Sequence, residues 1–197
     1  MAATGRIKAV AEVSAEVFTA MHNLRTDRAT TRRDLENEPL PYDAPKQERL
    51  KGMRMAEMPA LRAAALHLAT IDIAGRDRLL PKLQEEIAAL TTAQERTWDA
   101  LMRPKSERPQ GMGKAFFDEE TELLDTLDKV SERLTAAIKN SDPIIDRMMA
   151  MKQLAWMVRN TGGDASLTIS NAMPSGHGTP PSSPRARRCG APSKTRA

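Results

Sequence analysis

The chain has 197 residues and 21.7 kDa, enough for one ordinary domain, with 40% hydrophobic, 28% charged and 3% aromatic residues. Six aromatic residues against twelve methionines are too small a supply for a sandwich or barrel, which excludes an all-β fold. The net charge of +4 comes from one end: residues 174–197 hold Arg185, Arg187, Arg188, Lys194 and Arg196 and no acid, so the other 173 residues sit at −1. No aromatic residue accompanies those cations, so no nucleic-acid partner is expected.

Residues 2–36 carry Val10, Ser14, Val17, Met21, Leu24, Arg28, Thr31 and Leu35 at alternating steps of four and three. That heptad-type seam predicts a helix ~50 Å long at ~1.5 Å per residue. Past Pro39, Pro41 and Pro45 the spacing returns over residues 45–74 with Leu50, Arg54, Glu57, Leu61, Ala64, Leu68 and Ile71, and Pro59 is expected to kink the helix. Residues 81–102 show Leu83, Ile87, Leu90, Gln94, Thr97 and Leu101, with Pro81 suited to a first helical turn.

Residues 114–140 show Phe117, Glu120, Leu124, Leu127, Ser131, Leu134 and Ile138. The run Asp118, Glu119 and Glu120 reads as an acidic first turn matched to the helix dipole, in preference to a metal site. Asp142 and Pro143 predict an N-cap and the start of a fifth helix, whose seam is Ile144, Met148, Met151, Ala155, Val158, Gly162, Ala165 and Ile169. Gly162 and Gly163 either end this helix or are kept for a close helix contact. After Met173 the apolar pattern is gone, and residues 174–197 read as a disordered tail. That tail is either a basic arm for an anionic partner or sequence with no evolved role, such as an out-of-frame product. The expected fold is all-α: an up-down bundle of about five long helices over residues 1–173, with a disordered, basic tail over residues 174–197.

Chemistry is sparse along the chain. Cys189 is the single cysteine, and His22, His67 and His177 have no Cys or carboxylate spacing around them that reads as a metal site, so neither metal nor cofactor is expected. No glycine-rich phosphate loop or nucleophile motif is present, and no enzymatic activity is expected. No run of 18 apolar residues predicts a membrane span, and Arg6, Lys8, Glu12 and Glu16 interrupt any secretory leader, so the chain as written reads as cytosolic.

The oddity is charge on the seam. Arg28 takes a heptad position between Leu24 and Leu35, and Arg54 does the same in the second segment, although burying an uncompensated guanidinium costs several kcal/mol. If the first two helices form an antiparallel hairpin around residue 40, positions summing to about 81 lie level, which brings Arg28 beside Met53 and Arg54, and Arg25 beside Glu57. Such guanidiniums would either receive a small anionic ligand through forked hydrogen bonds or be neutralised by Asp27, Glu48 or Glu57 in a structural network.

Leu24-Arg25-Thr26-Asp27-Arg28-Ala29-Thr30 resembles the Leu-x-x-Glu-Arg-Gly-x-Thr/Ser pattern of the helical-bundle sensor domains of bacterial methyl-accepting chemotaxis receptors, with Asp27 for the commoner Glu and Ala29 for Gly. Residues 154–164, Leu-Ala-Trp-Met-Val-Arg-Asn-Thr-Gly-Gly-Asp, are similar to the second arginine-bearing helix of such receptors. The resemblance covers about residues 5–173. It implies a ligand-sensing fragment, lacking the flanking membrane spans and signalling helices, from a region held on the periplasmic side of the inner membrane. It further implies that Arg28 contacts the anionic group of a ligand, with Arg159 as a second contact and Thr31 as a hydroxyl donor; Arg54 joins them from the seam reading. On an up-down path Arg159 lies ~26 Å into its helix and Arg28 ~12 Å below the hairpin tip, so the two meet only if the fifth helix starts higher. The alternative reading is a helical interaction module, without small ligand, whose exposed apolar stripe pairs with a second copy as a homodimer.

Overall fold

The structure, a computed structural model, describes residues 3–172; the predicted basic tail lies outside the described residues. Five helices follow in chain order: α1 Ala3–Asn37, α2 Ala44–Leu68, α3 Arg76–Leu101, α4 Met112–Ala137 and α5 Pro143–Ala172. A 3-10 turn, Lys105–Glu107, joins α3 to α4, and no strand occurs among the described residues, so the protein is all-α as expected. The chain divides into a unit Met1–Arg159, with α1 to α4 and the first half of α5, and a unit Asn160–Ala197, whose described part is the remaining helical turns of α5.

Within the first unit α1 packs along both α2 and α4, and α3 packs along α4 and more loosely along α2, closing an up-down ring of four helices. The ring forms because each of these helices carries one apolar stripe that must leave water. The predicted seams deliver it: Val17, Met21 and Leu24 of α1, Leu61 and Leu68 of α2, Leu83 and Leu90 of α3, and Leu127 and Leu134 of α4 are all buried in one core. Full burial of each leucine contributes about 1.5–3 kcal/mol.

Helix starts follow local chemistry, with two differences from the sequence reading. Asp43 caps α2 by accepting from the backbone N–H of Lys46 at 3.0 Å, and Asp142 caps α5 by accepting from Ile144 N at 2.7 Å and Ile145 N at 3.1 Å. Helix α3 begins at Arg76, five positions before Pro81, because Gly75 at φ 81° reverses the chain and lets Leu79 and Leu80 reach the core. Pro81 is therefore inside the helix, where its missing N–H removes one internal hydrogen bond. Helix α4 begins at Met112 behind Gly111 at φ 77°, so no acid lies in its first turn and the run Asp118 to Glu120 is not a helix start. Gly113 seats this end on α1: a Cβ there would lie 3.2 Å from the Arg32 carbonyl oxygen and 3.1 Å from Glu36 Cγ.

The largest difference concerns α5. Its predicted seam faces outward, with Ile144, Met148, Met151 and Val158 each 60–70% exposed. The neighbouring stripe is buried instead: Met149 joins the main core, Trp156 meets the Phe18 ring edge-on at 6.3 Å, and Lys152 Nζ donates to Ser131 Oγ at 3.0 Å and Ser14 Oγ at 3.4 Å. The groove between α1 and α4 offers hydroxyls and an aromatic edge, which an aliphatic stripe cannot use and the Lys152–Trp156 stripe can. Helix α5 also continues through Gly162 and Gly163 to Ala172, so the glycine pair does not end it.

A buried polar layer as candidate functional site

Near the middle of the ring the seams of all four helices turn polar at one level. Helix α1 supplies Asp27 and Thr31, α2 Arg54 and Glu57, α3 Gln94 and Thr97, and α4 Glu120; Asp27, Thr31, Glu57 and Glu120 are completely buried. Arg54 organises the layer. Its Nε donates to Asp27 Oδ2 at 2.9 Å, one terminal nitrogen donates to the Gln94 carbonyl at 2.8 Å, and the other to Thr97 Oγ1 at 3.1 Å and Thr31 Oγ1 at 3.4 Å. Thr31 in turn donates to Asp27 Oδ1, and Gln94 Nε2 donates to Glu57 Oε1 at 2.7 Å. Asp27 and Arg54 stand level, as the hairpin register around residue 40 requires.

Acceptors outnumber donors here. Glu57 Oε2 and both carboxyl oxygens of Glu120 are buried without a hydrogen-bond partner, and one oxygen from each of Asp27, Glu57 and Glu120 lies within 4.8 Å of the others. Burial first, and then the Asp27 charge, push the Glu57 carboxyl well above the ordinary carboxylate range, against the pull of Arg54. Glu120 is pushed up in the same way by burial, then by Asp27 and Glu57, with Arg54 and Arg28 opposing. Fully ionised, three carboxylates against two guanidiniums leave the layer negative, so the interior favours a bound proton or cation over a bound anion.

The four residues singled out from the sequence do not converge on one cavity. Arg54 uses four of its five N–H groups inside the protein and Thr31 is engaged with Asp27, so this half of the set is the structural ion-pair network weighed as the alternative. Arg28 is buried on the α4 side, donating to Thr121 Oγ1 at 2.8 Å with its guanidinium 4.4 Å from the Phe117 ring centre. Arg159 reaches Thr26 Oγ1 at 3.3 Å and the His22 carbonyl at 3.4 Å. It is nearly level with Arg28, higher than the up-down path suggested, yet residues 26 and 28 point ~200° apart at ~100° per helical residue. Height joins these two arginines and helix rotation separates them.

Sequence reasoning missed Glu120, whose acidic neighbours Asp118 and Glu119 read as a local helix start, and it missed Gln94 as the partner of Glu57. The available signal was that Glu57, Gln94 and Glu120 each occupy a seam position in an otherwise apolar stripe. Solvent approaches the layer where α2 and α3 pack loosely: a groove of about 340 Å³ is lined by Arg54, Arg62, Gln94, Glu95, Trp98 and Asp99 among others. A second groove, of about 270 Å³ between α3 and α4, touches the layer at Thr97. No helix among the described residues is long and apolar enough to cross a membrane. Comparison with protein-family models, with curated proteins and with solved structures finds no match for this chain.

Proposed function

We propose that this chain is a ligand-sensing helical bundle, as its resemblance to chemoreceptor sensor domains implies, with the buried polar layer as its sensing centre. One observation carries the reading: Glu120, fully buried between four helices, has two carboxyl oxygens that accept no hydrogen bond. Stability alone does not favour such a layer, because well-packed apolar residues in its place are often more stable by about 1–4 kcal/mol. A layer built from four helices and short of donors is a natural place for an occupant to select between two helix packings, through its differential affinity for them. The test is thermal unfolding of the full chain with calcium, magnesium, nitrate, phosphate and small carboxylates. A dose-dependent rise in Tm that Arg28→Ala or Glu120→Gln removes supports sensing, whereas a chain whose Tm ignores the whole panel refutes it.

The exposed stripe of α5 favours a second reading, homodimerisation. Ile144, Met148, Met151 and Val158 repeat at the 3.5-residue spacing of a helix-pairing seam, and such a stripe is complementary to its own copy across a two-fold axis. Sedimentation should then show a concentration-dependent dimer that Met148→Glu with Met151→Glu dissolves; a monomer at all concentrations ends this reading.

A further inference from the structure

We infer that Asp27, Glu57 and Glu120 form a binding site for one hard divalent cation of calcium size. The inference rests on the sensing reading above and names the chemical class of its ligand. It stands on geometry. Three oxygens no more than 4.8 Å apart all lie within about 2.8 Å (4.8/√3) of a common point, so a single ion can touch all three. Calcium–oxygen bonds of about 2.3–2.6 Å need shifts of only a few tenths of an ångström, while the ~2.0–2.1 Å shell of magnesium needs a larger contraction.

The donor set is oxygen only, with no imidazole or thiolate, which suits a hard ion and not zinc or copper. The three open acceptors, Glu57 Oε2 and both Glu120 oxygens, are the atoms that such an ion would satisfy. Asp27 keeps its bonds from Arg54 and Thr31 and still has lone pairs for a metal, so the ion pair orients the ligand carboxylate as outer partners commonly do. The groove between α2 and α3 reaches the layer at Arg54 and at Gln94, which is hydrogen-bonded to Glu57, and carries Glu95, Asp99 and Arg62 in its lining. An ion held there ties α1, α2 and α4 together at one level and opposes the mutual repulsion of their carboxylates.

Chelator-treated full chain, titrated with calcium chloride in a calorimeter, is expected to bind one ion per chain with a rise in Tm. Glu120→Gln and Glu57→Gln should each weaken binding at least tenfold, while Asp118→Asn, outside the cluster, should not. Terbium, a calcium substitute, adds a readout that needs no core substitution: its emission, sensitised by a tryptophan in the groove, should fall in Trp98→Phe. No calcium binding up to millimolar concentration overturns the inference, as does binding that survives both glutamine variants or terbium emission unchanged in Trp98→Phe. A chain that ignores calcium yet is stabilised by nitrate, phosphate or a carboxylate loses the cation site and keeps the sensing reading; a chain that answers to nothing loses both.

Discussion

Two buried polar regions sit about two turns apart in this bundle and are built on opposite plans. At the hairpin end, Arg108 follows the 3-10 turn and inserts its guanidinium among carbonyls at and just past the ends of α1 and α3, donating to Asp34 O at 2.9 Å, Glu38 O at 2.8 Å and Leu40 O at 2.9 Å, and through Nε to Arg103 O at 3.0 Å. Arg108 also reaches Leu35 O at 3.4 Å, a helix-end acceptor with no backbone donor of its own because residue 39 is proline. Beside it Asp34 accepts from Tyr42, Arg33 and Arg49, and Tyr42 N donates to Leu101 O at 2.9 Å. The polar layer below has the reverse balance, with carboxyl oxygens left over. Burial costs both regions, but only the hairpin end recovers the cost in matched hydrogen bonds, so it reads as structure, and the unmatched layer reads as a site.

That contrast can be broken first at its matched end. Arg108→Met removes the guanidinium and takes away the side-chain donor that the Leu35, Glu38 and Leu40 carbonyls share, and it should destabilise the chain by about 3 kcal/mol, seen as a Tm lower by roughly 10 °C. If Arg108→Met melts like the parent, the hairpin end is not the matched region described here.

At the unmatched end the sign should invert. In calcium-free buffer at neutral pH, Glu120→Leu should stabilise the fold by about 1–2 kcal/mol in urea unfolding, because an apolar side chain of similar volume replaces a desolvated carboxyl. Destabilisation by a comparable amount would mean that Glu120 has a satisfied structural role.

Acidity sharpens the same point. Glu57 and Glu120 hold protons more tightly folded than at their ordinary 4.5, so the folded state binds more protons from pH 4.5 up to the raised values. Stability in chelator should therefore fall as pH rises through that window, by at most about 1.4 kcal/mol per pH unit for each group. Glu120→Gln should flatten this slope, and a parent whose stability is level across the window would contradict the crowding of carboxyls. The smallest effect belongs to Tyr42→Phe, which removes one of several donors to Asp34; a loss of about 1 kcal/mol or less is expected, because Arg33 and Arg49 remain.

Much of the bundle was legible from spacing. Every seam position read in the first four helices is at least largely buried apart from Phe117, which is part-buried, and Asp27 meets Arg54 in the register expected of a hairpin turning near residue 40. The polar layer was half legible: Arg28 and Arg54 stood out as charges in an apolar stripe, while Glu120 was hidden by the acidic residues beside it. The Arg108 contacts were not legible at all, because a guanidinium that caps carbonyls about 70 residues away has no local pattern to betray it.

What the sequence determined by itself is periodic and local: about where helices run, where Asp142 starts the fifth, and which stripe of each early helix leaves water. Only the tertiary structure decided which of two stripes on α5 is buried, since both have helical spacing and the choice falls to the hydroxyls and the Phe18 edge waiting between α1 and α4. It likewise decided that the inward arginines of the hairpin meet an excess of carboxylate, because charge balance at one level depends on side chains from four helices that no single repeat can count.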